Sequence, residues 1–197
     1  MVAVIDYDTG NLRSVCNALE RLGASYEVTA DHSRILAASH VLMPGVGEAS
    51  SAMGKLRERG LDTLIPQLTQ PVLGICIGMQ LMCLGSEEGD AQCLGFFSTQ
   101  VRRLAAVPEQ GIKVPHMGWN SLADLRTPLF DGIAPGAFVY FVHSYAADPC
   151  DATIAMCNNG ADFSAALHRD NFYGVQFHPE KSGDVGARII DNFLTKI

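Results

Sequence analysis

The sequence predicts an α/β fold, a single domain spanning residues 1–197 with a central, largely parallel sheet and helices on both faces. Three observations carry that expectation. In the N-terminal half, short β-branched runs alternate with apolar residues at helical spacing, the rhythm of βαβ units and parallel pairing. From residue 95 to 154 the rhythm changes to short β-prone runs cut by Pro and Gly, as in an antiparallel or mixed region. The chain closes on an apolar strand at 172–177 and a helix with one apolar face.

Taken in order, residues 2–7 form a first strand ending in Asp6-Tyr7-Asp8-Thr9-Gly10, and Leu12, Val15, Cys16, Leu19 and Leu22 then mark a helix up to Gly23. A second strand fits 26–29, Asp31 or Ser33 caps a short helix, and His40-Val41-Leu42-Met43 is a third strand stopped by Pro44. Helices fit 48–59 and 62–68, followed by a buried strand at 71–75 and a buried helix starting just after Cys76. Further on, β-prone runs occupy 96–101 and 138–142, with a short helix near Pro128-Leu129-Phe130. Val185, Ile189, Ile190, Phe193, Leu194 and Ile197 mark the terminal helix. No linker, repeat or low-complexity tract interrupts the 197 residues, a length that allows one core and a deep pocket.

Composition excludes several functions. The net charge is −7, and the 14 basic residues are dispersed, which argues against a nucleic-acid partner. The start, Met1-Val2-Ala3-Val4-Ile5-Asp6, has no basic n-region, so a cytoplasmic protein without a secretory signal is expected. The uncharged stretch between Asp62 and Glu87 is broken by Pro66, Gln67, Gln70, Pro71 and Gln80, so no membrane span is expected. The six cysteines show no CxxC spacing and the six histidines no close pairing, so free thiols, no metal and no cofactor are expected.

Two short segments suggest chemistry. In Gly74-Ile75-Cys76-Ile77-Gly78 a cysteine sits at a strand-to-helix turn, with small residues two before and two after so that the backbone can fold tightly around it. The following helix points free N–H groups at the turn, favouring a thiolate, and the Ile77 N–H is placed to stabilise an oxyanion. Alone, the segment reads equally as ordinary core packing, because free cysteine behaves as a small hydrophobe. His178-Pro179-Glu180 adds an imidazole to take and return the thiol proton and a carboxylate to orient it. Residues two apart at a strand end project to the same side, so Glu180 can reach the ring. The order Cys, His, Glu excludes an α/β-hydrolase, where the acid precedes the histidine. His32, His40, His116 and His168 read as surface or packing residues.

Together Pro44-Gly45-Val46-Gly47, GICIGMQ (74–80) and GVQFHPEKS (174–182) resemble the class I glutamine amidotransferases over nearly the whole chain. Asp6-Tyr7 with Gly10-Asn11-Leu12, Pro115-His116-Met117-Gly118-Trp119-Asn120 and YFVHSY (140–145) narrow the resemblance to the glutaminase subunits of histidine biosynthesis. It implies a flavodoxin-like fold, Cys76, His178 and Glu180 as a catalytic triad, and an oxyanion site formed by Gly45 or Val46 with Ile77. Gly47, Gln80, Glu88, Ser144 and Tyr145 are implied to bind glutamine. The implied partner is a (β/α)8-barrel cyclase subunit in a heterodimer, which receives the ammonia, with Asn11, Trp119 and Lys181 at or near the interface. Glu88 also reads as one acid of an exposed turn, and Trp119 as either contact anchor or core. Ile77 stands where many relatives carry Leu, a change that leaves a backbone donor intact. Open alternatives are another glutaminase subunit, such as that of pyridoxal phosphate synthase, and a non-catalytic binder of the same fold.

Overall fold

The computed structural model describes residues 1–8 and 12–197. The first half runs β1 (Val2–Ile5), α1 (Leu12–Arg21), β2 (Tyr26–Thr29), α2 (His32–Leu36), β3 (His40–Gly45), α3 (Ala49–Glu58), α4 (Leu61–Leu64), β4 (Val72–Cys76) and α5 (Ile77–Gln80). The second half continues with β5 (Cys83–Ser86), β6 (Ala91–Gln92), β7 (Phe97–Arg103), β8 (His116–Ser121), β9 (Phe138–His143), β10 (Tyr145–Ala147), β11 (Thr153–Asn158), β12 (Asp162–Arg169), β13 (Phe172–Val175) and α6 (Gly183–Lys196). Local chemistry explains several boundaries. The Asp31 carboxylate accepts the Ser33 and Arg34 N–H groups and so caps α2, while Glu48 does the same for Ser50 and Ser51 at the start of α3.

The main sheet has the order β2-β1-β3-β4-β13-β12-β10-β7-β5-β6, with β11 paired to β12. From β2 to β13 every pairing is parallel. Beyond β13 the pairings are antiparallel except β5 with β7, so the sheet is mixed. Strands β3, β4 and β13 read as continuous apolar runs because both of their faces are covered. Side-chain alternation shows what covers them. A Cβ on Gly174 would run into Met79, and one on Gly78 into the Met43 carbonyl, so α5 lies on the face that Gly174 presents. Tyr173, one residue out of phase, meets Phe193 of α6 at 6.3 Å between ring centroids, so α6 lies on the other face.

The structure departs from the sequence expectations in instructive places. β3 continues through Pro44 to Gly45, because pairing with β1 ends at Leu42 and a residue without an N–H is tolerated beside that unpaired edge. The helix expected over 62–68 divides into α4 and a 3-10 turn at Ile65–Gln67, where Pro66 lacks the N–H that an α-helix needs. The helix after Cys76 lasts only to Gln80 before the chain turns into β5. The last strand stops at Val175 rather than 177. The short helix near Pro128 is a 3-10 turn, Pro128–Phe130.

Strands β8 and β9 form a separate two-stranded ribbon. Its inner face buries His116, Val139, Phe141 and His143, while Met117, Trp119 and Phe138 on the other face are exposed. Tyr140 fastens this ribbon to the segment after β13. Its carbonyl accepts the His178 N–H at 2.9 Å, and its own N–H donates to Ser182 Oγ at 2.9 Å.

Candidate active site

The ends of β3, β4 and the segment after β13 lie side by side, which is where an open parallel sheet leaves a crevice. Gly45 pairs with Cys76 across β3 and β4. Cys76 adopts φ 54° and ψ −110°, a left-handed conformation that costs a non-glycine residue about 1–3 kcal/mol. The elbow is held by contact. A Cβ on Gly74 would come within 2.6 Å of the Gly78 carbonyl carbon, so the strand and the first turn of α5 meet backbone to backbone. The Cys76 side chain turns into a cavity of about 360 Å³, in the size range of small-molecule pockets.

His178 and Glu180 are both buried, and His178 Nδ1 lies 2.8 Å from Glu180 Oε1. The carboxylate reaches the ring through a 3-10 turn, Pro179–Lys181, rather than by alternation along a strand. Ser182 Oγ closes that turn by donating to the His178 carbonyl at 2.7 Å. With Nδ1 engaged, Nε2 is the nitrogen left toward the cavity, where it has no hydrogen-bond partner among the described residues. Burial opposes a charged ring here, but the neighbouring Cys76 thiol and then Glu180 outweigh it and hold His178 up at about 9. A buried thiol and imidazole, with a carboxylate behind the imidazole, form the constellation of a cysteine nucleophile with its base and orienter.

Val46, Gly47, Ile77, Gln80, Glu88, Ser144 and Tyr145 line the same cavity, so the structure brings most of the sequence-predicted residues together. Gly45 lies just behind, in the β3 ladder. Gln80 Nε2 donates to the Tyr145 carbonyl and to Gln176 Oε1, each at 2.9 Å, and its own Oε1 has no partner. Glu88 is half-buried rather than loose in an exposed turn. Burial raises its pKa, the Ala49 N–H at 3.1 Å works against that, and Glu48 adds to it.

Trp119 is 55% exposed, which removes the core alternative, and stands across the ribbon from Tyr140. Lys181 is exposed on the turn that carries Glu180. Asn11 lies outside the described residues. Two residues at the site were missed from the sequence: His143, on the cavity wall, and Gln176, whose Nε2 lies 3.7 Å from Cys76 Sγ. Gln176 was legible in principle, two positions before His178. His143 had no such signal, since no carboxylate follows it. Among the described residues, no cluster of His, Cys, Asp and Glu is placed to hold a metal ion, and no helix is long and apolar enough to cross a membrane.

Residues 3–197 match the family description Glutamine amidotransferase class-I. The imidazole glycerol phosphate synthase subunit HisH of Bacteroides fragilis is 55% identical over 193 residues, covering 98% of each chain. The protein of the same name from Haemophilus influenzae is 47% identical, covering 100% of this chain and 98% of its own. Among solved structures, a glutamine amidotransferase superposes with TM-score 0.75 at 16% identity, over 98% of this chain and 97% of its own. A glutamine amidotransferase from Thermotoga maritima gives TM-score 0.62 at 18% identity, over 99% and 82%. At those identities the two structures speak for the fold alone.

Proposed function

The chain belongs to the class I glutamine amidotransferase family, and on that footing we propose that it is the glutaminase subunit of an imidazole glycerol phosphate synthase. The observation that carries the proposal is a buried Cys76 on a strained elbow beside a Glu180-oriented His178, in a chain 55% identical to a subunit of that synthase. Residues 1–197 act as one amidotransferase domain in the cytoplasm. Cys76 Sγ attacks the glutamine carboxamide carbon, its proton having passed to His178. The tetrahedral oxyanion is met by the Ile77 N–H and by an N–H of Gly45 or Val46. His178 returns the proton to the departing nitrogen, which leaves as ammonia, and Cys76 holds the γ-glutamyl group as a thioester. Water, activated by His178, then releases glutamate.

Gly47, Gln80, Glu88, Ser144 and Tyr145 hold the substrate, and Glu88 supplies the carboxylate that an α-ammonium needs. Ammonia passes to a (β/α)8-barrel cyclase subunit, which makes imidazole glycerol phosphate and AICAR. The exposed Met117, Trp119 and Phe138 and the nearby Lys181 lie in or beside the docking surface. The test is the assembled synthase assayed with glutamine and, separately, with ammonium. Cys76→Ala is expected to abolish glutamine-dependent synthesis and spare ammonium-dependent synthesis. Loss of both, or no assembly with the cyclase, sinks the assignment.

A further inference from the structure

Two donors converge on the Tyr145 backbone carbonyl: His143 Nδ1 at 2.8 Å and Gln80 Nε2 at 2.9 Å. A carbonyl oxygen offers only lone pairs, so both facing nitrogens carry a proton toward it. The direction of every further bond in the network follows from that one atom.

On the ribbon side, burial pushes His143 down to about 3, so the ring is neutral and a proton on Nδ1 leaves Nε2 bare. His116 Nδ1, 2.9 Å from that Nε2, is therefore the donor. Burial lowers His116 as well, so its Nε2 is a lone pair, and Asn120 Nδ2 donates to it at 3.2 Å. Asn120 Oδ1 accepts the Ser121 N–H at 2.8 Å, and Asn120 Nδ2 also donates to the Asn158 carbonyl at 2.9 Å. On the nucleophile side, Gln80 directs both N–H groups at Tyr145 and Gln176, since a flipped amide would set its oxygen against the Tyr145 carbonyl. Gln176 Oε1 is then the acceptor, and Gln176 Nε2 faces Cys76 Sγ. The acceptor left over is Gln80 Oε1, buried and unpaired on a residue that lines the cavity.

We propose that His116 and His143 are positioning residues for glutamine hydrolysis, a neutral pair of fixed tautomer that pins the Tyr145 carbonyl. Through it they hold Gln80 with Oε1 toward the substrate and Gln176 with Nε2 on the nucleophile. All four side chains are buried, so no water substitutes for a lost member without rearrangement. The consequence for catalysis rests on the glutaminase reading; the tautomers do not.

The experiment has two arms. Long-range ¹H–¹⁵N spectra of the wild-type chain are expected to show a neutral Nδ1–H tautomer for both His116 and His143. An Nε2–H tautomer or a charged ring at either overturns the network. In the assembled synthase, His143→Phe is expected to raise the KM for glutamine about tenfold, the worth of one buried hydrogen bond. His143→Asn, which keeps a donor at the Nδ1 position, brings KM back to within about threefold of wild type. A partly unfolded enzyme would lower kcat and leave KM alone. An unchanged KM in His143→Phe, or equal KM in the two variants, overturns the proposal. If His143→Phe does not fold, the tautomer arm still decides. A wild-type synthase inert toward glutamine would fail the glutaminase reading and leave the tautomer result standing.

Discussion

At the scale of single residues, the site depends on which nitrogen of His178 is left free. Glu180 takes Nδ1, so Nε2 is the one available to the thiol and to the leaving group. The folded pKa, about 9, lies above the ordinary 6.5. Protonation of the ring therefore adds stability that is complete below about 6.5 and is lost as the pH rises through about 9. Glu180→Gln removes one of the groups that raise it. We expect the NMR titration midpoint of His178 to fall and glutamine hydrolysis in the assembled synthase to slow by roughly a hundredfold or more. A midpoint still at about 9 would show that Glu180 does not tune the ring.

At the scale of elements, Cys76 is held by the contact of α5 with the sheet. A Cβ at Gly78 has no room against the Met43 carbonyl, whereas one at Gly54, in the middle of α3, meets nothing within 4 Å. Gly78→Ala is expected to lose about 3 kcal/mol in urea unfolding, through overpacking of the added methyl against the Met43 backbone. Gly54→Ala is expected to gain about 0.5–1 kcal/mol, because only chain entropy changes there. The elbow was legible in the sequence because its demand for small residues falls within five consecutive positions, and the His178–Glu180 contact because the two residues are two apart. What stayed hidden was non-local. The lengths of α5 and β13 are set by the packing around them, and the His116–His143 contact joins strands 27 residues apart in sequence. The Pro44 stop failed for the same reason, since a strand edge is visible only once its neighbours are known.

At the scale of the whole molecule, the parallel half of the sheet carries Cys76, and the β9–β10 corner supplies Ser144 and Tyr145 to the wall of the same cavity. The ribbon ties that wall to the outside through Tyr140 to the histidine turn, and its exposed apolar side is the proposed docking surface. Trp119→Ala is expected to weaken assembly with the cyclase by about 2 kcal/mol, roughly thirtyfold in Kd by calorimetry, as for a buried aromatic anchor. The same uncovered side has a colloidal consequence for the subunit alone. Copies carrying −7 repel one another at low ionic strength, but at 1 M salt the field decays within about 3 Å and apolar attraction between ribbons is left unopposed. The osmotic second virial coefficient, followed by static light scattering, should turn from positive to negative with added salt and should stay positive for Trp119→Glu. Covering the ribbon with the proposed partner would thus also keep the chain in solution.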